Sequence, residues 1–443
     1  MFKTLRNAWK ISEIRSKILF TLLIIALYRI GAAIPVPFVD YGILLQQSAA
    51  EKMTTGIFAY LNIFSGDAFA QAKLFALSVT PYINAQIIIQ LLSVAIPKLE
   101  EWSKDGENGR KKIEKLTRLL TVVLAVVSSI GYFFMLQNVG VITPGGSATV
   151  FKAIVMVACF TAGSSLVMWL GEKIDEQGIG NGISMILFAN IVSGIPSIAT
   201  QFIFTLSSAE KVALWLKWVL GIGTLLIVVG SIIFVTYMSD AERRIQVQYA
   251  KRVVGRKMYG GQSSTLPIKL HMSGVMPIIF ASTIVSFFPT IMYVIESIRG
   301  AEFKQGTFGY GFKHFFDSDS AAYIIILFAL IIAFAYFYIS ISFNPVEVAN
   351  NLQQQGGFIT GIRPGKPTAQ YIKKVLNKVI LMGAFFLGLV ACVPLILNAV
   401  SGGLLGVVSF SGSTLLIVVG VILETVRELE AQLTMRHYKG FLE

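Results

Sequence analysis

The chain has 443 residues, of which 55% are hydrophobic and only 14% charged, and its mean hydropathy is +0.71. A water-soluble globular domain carries about 25% charged residues, so this composition excludes one and indicates a polytopic helical membrane protein. The formal charge of +13 is spread over segments between apolar stretches and not concentrated in one basic domain, which sets aside a nucleic-acid-binding reading.

Lys3, Arg6, Lys10, Arg15 and Lys17 precede the first apolar stretch, Ile18 to Ile34. That stretch lacks a small-residue cleavage site and contains Arg29, so it reads as a retained span and not a removable signal. Gly56 to Ala70 (GIFAYLNIFSGDAFA) is apolar, too short to cross, and interrupted by Ser65, Gly66 and Asp67. Such a segment is either re-entrant, packed inside the bundle, or an interfacial helix on the outer leaflet. Further spans are predicted at Phe75 to Ile96, Leu119 to Leu136, Phe151 to Leu170, Ile183 to Phe204, Leu216 to Met238, Val275 to Val294, Ala321 to Ile341, Val379 to Leu395 and Leu404 to Ile422, ten in all. Lipid cannot satisfy backbone N–H and C=O groups, and the stretches are too long and too evenly apolar for barrel strands, so all are read as helices.

Charge then orients the chain. Lys98, Lys104, Arg110, Lys111, Lys112, Lys115 and Arg118 follow the second span, and Arg243, Arg244, Lys251, Arg252, Arg256, Lys257 and Lys269 follow the sixth, whereas the alternate loops hold few cations. Basic loops resist translocation, which places them, Arg363, Lys366, Arg427, Arg436, Lys439 and both termini in the cytoplasm. The loops Ala241 to Leu270 and Phe343 to Ile372 are longer than simple connections and punctuated by Gly and Pro. They are expected to form ordered basic protrusions that meet something acidic.

Catalytic chemistry has little to work with. His271, His314 and His437 lie in or near loops or a terminus, and Cys159 and Cys392 sit inside apolar stretches as small hydrophobes, so no triad or zinc site follows. Gly361 to Lys366 (GIRPGK) has the wrong glycine spacing for a nucleotide loop and Pro367 where a metal-holding hydroxyl belongs. Gly178 to Gly182 (GIGNG) joins two spans, and Asn181 is placed to cap the helix beginning near Ile183, which favours a tight interhelical turn over a phosphate loop. Intramembrane ionisable groups, which an ion-coupled transporter needs, are nearly absent: Lys152, Glu172, Lys217, Lys378 and Glu424 lie near span ends, and Arg29 is read as a structural partner for backbone carbonyls. No enzyme activity, cofactor or metal is expected. The alternative of a polytopic secondary transporter lacks its polar midplane site.

Several long motifs carry a resemblance in the same order along essentially the whole chain: YRIG and IPVP of the first span, TPYINAQIIIQLL of the second, MWLGEKIDEQGIGNGIS, AERRIQVQYAKR, FNPVEVANNLQQQGGFITGIRPGKPTAQYI and STLLIVVGVILETV of the last. The chain resembles the SecY family, the channel subunits of the protein-conducting translocon. GIRPG and QYAKR place the resemblance with bacterial members in the plasma membrane. It implies an all-α membrane protein of ten transmembrane helices in two pseudo-symmetric five-helix halves around a central pore: an N-terminal cytoplasmic segment 1–17, a first half 18–205 with a re-entrant plug 56–70, a second half 206–424 with cytoplasmic loops 239–272 and 343–374, and a cytoplasmic tail 425–443.

The resemblance also implies roles. The plug would include Asn62, Phe64, Ser65, Gly66 and Asp67, with SGD standing where the family often has two consecutive glycines. A ring of aliphatic side chains maps onto Val79, Ile83, Ile183, Leu187, Ile279 and Ile417, with Val79 and Leu187 where isoleucine is common. Spacing of four within Val79/Ile83 and Ile183/Leu187 puts each pair on one helix face. Such a ring can gasket a moving chain without binding it, and dewets when empty. A side opening towards lipid maps onto Thr80, Asn84, Ser282 and Phe287, where interhelical hydrogen bonds of about 0.6 kcal/mol each let a gate close without locking. Arg256, Lys257 and Arg363 match positions that meet the SecA ATPase and the ribosome. SecE, SecG, signal peptides and unfolded preproteins are the other partners the resemblance implies, together with the lipid bilayer.

Overall fold

The computed structural model describes residues 2–44, 57–142, 148–208, 214–249, 252–254, 257–259, 263–272, 274–299, 307–316, 320–400 and 411–439. It is mainly helical: α1 (Phe2–Lys10), α2 (Ser12–Gly31), α3 (Tyr41–Leu44), α4 (Ile57–Ser65), α5 (Thr80–Ala95), α6 (Pro97–Lys104), α7 (Gly106–Val139), α8 (Ala148–Gln177), α9 (Gly182–Ser208) and α10 (Leu214–Asp240). Strands β1 (Glu242–Tyr249), β2 (Arg252–Val254), β3 (Lys257–Tyr259) and β4 (Ser263–Lys269) follow, then α11 (Met276–Arg299), α12 (Phe308–Phe315), α13 (Ala321–Ser342), α14 (Pro345–Gln354), β5 (Gly357–Ile359), α15 (Lys366–Val400) and α16 (Ser411–Lys439).

Each predicted span falls on a helix. Among the described residues six helices are long and apolar enough to cross a membrane, or seven if α5 and α6, bent by 103°, make one span. The helices at the other three predicted positions are α2, α11 and α16.

The boundaries differ from the hydropathy reading for physical reasons. Helix α7 begins at Gly106, well before Leu119, because its charged first turns pair at i,i+4: Lys111 with Glu107 at 2.8 Å and Arg110 with Glu114 at 3.1 Å. Helix α15 likewise begins at Lys366 and α8 runs on to Gln177. Hydropathy marks where lipid begins, not where the helix does. Conversely, α5 starts only at Thr80, with Pro81 in its first turn, where a missing N–H costs nothing. Residues Phe75–Val79 of the predicted second span are turns, with Ser78 at φ 48°. At the last span, 404–410 lie outside the described residues, and α16 continues as helix to Lys439 through the segment read as a tail.

The two long loops join in one small sheet. β1 pairs antiparallel with β4 on one side and with β5 on the other, in register Arg243↔Ile268 and Val247↔Ile359. Ile245, Val247, Ile268 and Ile359 are buried there with Leu352, Ile372 and Leu376, so the sheet is seated on α14 and α15 by its own apolar face. Among the described residues the two loops share that sheet, while β2 and β3 pair with each other in a second one.

The main core runs through α2, α5, α7, α8, α9, α11, α13, α15 and α16 as one contiguous cluster. Short helix α4 lies within it, packed on both α9 and α11. Its connection to α5 passes so close to α8 that a Cβ on Gly163 would stand 2.2 Å from the carbonyl oxygen of Leu74. Gly163→Ala is expected to lower the thermal unfolding midpoint in detergent, with a loss of about 1–3 kcal/mol from overpacking; an unchanged midpoint would show that α8 can yield.

Candidate functional site

The six aliphatic residues come from four helices and from the residue preceding one of them. Val79 is the N-terminal cap of α5 and accepts the first helical bond from Ile83 N at 3.0 Å. Ile183 and Leu187 lie on α9, Ile279 on α11 and Ile417 on α16. All six are between 0% and 6% exposed and belong to one buried cluster. The helices that carry them adjoin in sequence around a waist: α5 packs on α11, α11 on α16 and α16 on α9. Ile183 also leans outward, for its Cδ1 would lie 2.6 Å from a Cβ on Gly171, so it wedges α9 against α8.

The segment 57–70 is packed inside the bundle; the interfacial-helix alternative is overturned by the burial of Phe58, Phe64, Ala68 and Phe69 in the main core. Gly56 lies outside the described residues. The bend after α4 is closed by its own side chains. Asn62 Nδ2 donates to Asp67 Oδ1 at 2.8 Å, Asn62 Oδ1 accepts from Ala70 N at 2.9 Å, and Ser65 Oγ accepts from Phe69 N at 2.9 Å. Gly66 (φ 61°) and Asp67 (φ 68°) are left-handed, a conformation that glycine takes freely and Asp tolerates.

External contacts then seat the bend. Asn190 on α9, fully buried, donates through Nδ2 to Phe64 O at 2.8 Å and to the Tyr28 hydroxyl at 2.8 Å. Ser78 Oγ donates to Phe64 O at 2.9 Å, and Ser197 Oγ to Asp67 Oδ2 at 3.0 Å. Arg29 Nη1 is buried with no hydrogen-bond partner among the described residues, and a Cβ on Gly66 would stand 2.7 Å away. Asn190, Ser78, Tyr28 and Ser197 were not singled out from the sequence. The available signal was Asn190 itself, an amide in the otherwise apolar run Ile186–Val192.

The side-opening residues sit on two helices in direct contact. Thr80 and Asn84 are half-buried on α5, and Ser282 is buried on α11, where its hydroxyl donates to Ile278 O at 2.7 Å. Phe287, 43% exposed, stands at the surface of α11 edge-on to Phe288, which stacks on Phe316.

Of the cytoplasmic candidates, Arg256 lies outside the described residues and Lys257 is described only as the first residue of β3. Arg363 is exposed, in the turn between β5 and α15, and its carbonyl is held by Thr368 Oγ1 at 2.8 Å. The GIGNG turn is a helix junction as expected. Asn181 Oδ1 accepts from Ser184 N at 3.0 Å, and the free turn amides are already occupied: Gly182 N by Asp175 at 2.7 Å, Gly180 N by Glu428 at 2.8 Å and Ile179 N by Thr21 Oγ1 at 3.0 Å. A phosphate would find carboxylates in its place.

Fold and site together define a multi-pass helical membrane protein in which six aliphatic residues share one buried cluster with a short internal segment. The family model described as SecY matches residues 73–426. The chain is 41% identical, over 100% of both sequences, to the protein translocase subunit SecY of Streptomyces scabiei. It is 40% identical to that of Mycobacterium tuberculosis (strain ATCC 25618 / H37Rv) over 97% of each. Among solved structures it resembles that described as "The structure of a protein conducting channel", with a TM-score of 0.63 at 16% identity, covering 94% of this chain and 92% of that one. It also resembles "Sec61 in the Canine ribosome-channel complex from the endoplasmic reticulum", with a TM-score of 0.59 at 16% identity over the same shares. The chain belongs to the SecY family.

Proposed function

We propose that this chain is the central subunit of a protein-conducting channel in the bacterial plasma membrane, with both termini in the cytoplasm, and that it is not an enzyme. It passes unfolded secretory proteins across the bilayer and releases apolar segments sideways into lipid. The observation that supports this reading is that Val79, Ile83, Ile183, Leu187, Ile279 and Ile417, carried by four helices and the residue before one of them, are all buried in one apolar cluster. Branched aliphatic side chains offer a passing peptide no hydrogen bonds, so they yield to any sequence, and when closed they exclude water and ions.

The plug residues Asn62, Phe64, Ser65, Gly66 and Asp67 back that seal on one side. Thr80, Asn84, Ser282 and Phe287 form the side gate between α5 and α11. A signal segment of about a dozen Leu-like residues gains ~0.3–0.6 kcal/mol per residue on reaching lipid, roughly 4–7 kcal/mol in total. Moving a two-state gate from 1:99 to 99:1 takes about 5.5 kcal/mol. The passenger itself therefore supplies enough free energy to open the gate.

Since the chain offers no nucleotide loop, driving force comes from partners on the cytoplasmic protrusions. The SecA ATPase and the ribosome are the partners proposed for Arg256, Lys257 and Arg363, whose charge suits an acidic protein surface or RNA; SecE and SecG complete the assembly.

Polar substitution of the waist tests the central claim. Ile83→Ser, Ile279→Ser and Ile417→Ser combined are expected to raise ion leak through resting channels in proteoliposomes and to change secretion; if both stay at the wild-type level, the reading is wrong. Photocrosslinkers at Asn84 and Phe287 are expected to capture the signal segment of a stalled passenger, and failure to capture an intact signal would remove the side gate. Arg363→Glu is expected to impair SecA-driven export while the channel still accumulates in the membrane. Undiminished export would take Arg363 out of the docking surface.

A further inference from the structure

We propose that the groove between α13, α14 and the start of α15 binds one anionic phospholipid, with an acyl chain between the helices and the phosphate on Lys373. The groove lies apart from the six aliphatic residues and the side opening, so the site stands or falls independently of the channel reading.

The groove has a volume of about 590 Å³, within the range of sites that hold small molecules. Its walls are apolar at Phe337, Phe343, Leu376 and Ile380, and its rim is polar at Gln370, Lys373 and Asn377 of α15. Positions 370, 373, 377 and 380 are spaced by three or four, so they share one face of that helix. Over about three turns this face passes from amide and ammonium groups to aliphatic carbon. A phospholipid passes from headgroup to tail in the same order.

The groove also lies at the right depth. Lys378 is the last residue before the predicted span Val379 to Leu395, and the predicted span on α13 ends at Ile341, so the rim falls where headgroups begin. Tyr336 lines the groove and donates its hydroxyl to Asn377 O at 3.0 Å; tyrosines gather at that interface. On the neighbouring face of α15, Lys374 and Lys378 continue at helical spacing into Leu381, Met382, Phe385 and Leu389, all exposed. Cations thus stand at the end of an apolar strip, where a Lys side chain reaches headgroups.

Charge selects the ligand. Helix α15 contains no Asp or Glu. Among the described residues Lys366, Lys373, Lys374 and Lys378 belong to no ion pair. A zwitterionic lipid would bring its own cation to these lysines, whereas an anionic one leaves its phosphate to them. The site has a structural consequence too. Leu376 and Ile380 share an apolar cluster with Leu352 of α14 and Ile359 of β5, so a lipid seated here fastens the sheet and α14 to the bundle.

The test is native mass spectrometry of the full chain with SecE and SecG, titrated with phosphatidylglycerol or phosphatidylcholine, counting the lipids retained. Wild type is expected to hold one phosphatidylglycerol more tightly than any phosphatidylcholine. Lys373→Gln is expected to weaken that lipid about five-fold, the worth of one basic residue at an anionic surface, and Lys373→Arg to keep it. Val346→Glu, which puts a carboxylate at an exposed position of the groove, is expected to expel it. Lys104→Gln, which removes the same charge from α6, should match wild type, and glycerol phosphate, an anion without a tail, should not compete. If Val346→Glu fails to accumulate, Lys373→Gln decides alone, because that side chain is exposed. The site is overturned if Lys373→Gln holds phosphatidylglycerol as wild type does, or if glycerol phosphate displaces the lipid. It is also overturned if the variants shed SecE while lipid retention stays unchanged, for the groove then houses a partner's helix.

Discussion

A peptide backbone inside a membrane protein must find all its hydrogen bonds within the protein, and the non-helical stretch 66–79 is where this chain meets that demand with most difficulty. Each turn there is closed by a named partner. Leu74 N reaches Ile34 O at 3.0 Å, Lys73 N reaches Ala68 O at 3.1 Å, and Ala70 N and Phe69 N are taken by the side chains of Asn62 and Ser65. Three carbonyls also take donors from outside the stretch: Phe69 O the Tyr132 hydroxyl, Ala72 O that of Tyr41 at 3.4 Å and Ser78 O that of Ser164 at 3.3 Å. Irregular backbone at depth is tolerated only when it is buried in protein in this way. The stretch is thus held by polar bonds because a helix was not available to hold it.

That constraint divides labour between two kinds of contact. The six aliphatic residues pack without direction. The segment 57–70 is held by directional hydrogen bonds, which have one correct seat. Gly66 sharpens the seat: it is left-handed, and its missing Cβ leaves room for Arg29, Asn190 and Ser193 to crowd in.

The same economy of backbone bonds joins two distant loops. β1 lies between β4 and β5, so residues after the sixth predicted span and residues after the eighth share one sheet. Arg363 follows β5 in the turn leading to α15, a helix that runs on to Val400 through the main core. The described part of the protrusions is therefore seated on the bundle through this sheet and α15.

Much was legible in the residues. Lipid removes every alternative to the helix, so apolar length alone located the helices. The side chain of Asn181 marked the start of α9. A segment too short to cross, Gly56 to Ala70, announced an internal element, though not which of two homes it would take. What the sequence could not determine was partnership across the fold. Asn190 meets Phe64 over 126 residues and Tyr28 over 162, and Gly180 meets Glu428 over 248. Such pairings depend on which helices pack side by side, and packing is decided by the shapes of whole faces. Local pattern determined where the helices run; only tertiary structure decided which polar atoms would be brought together, because that depends on which helix faces pack side by side.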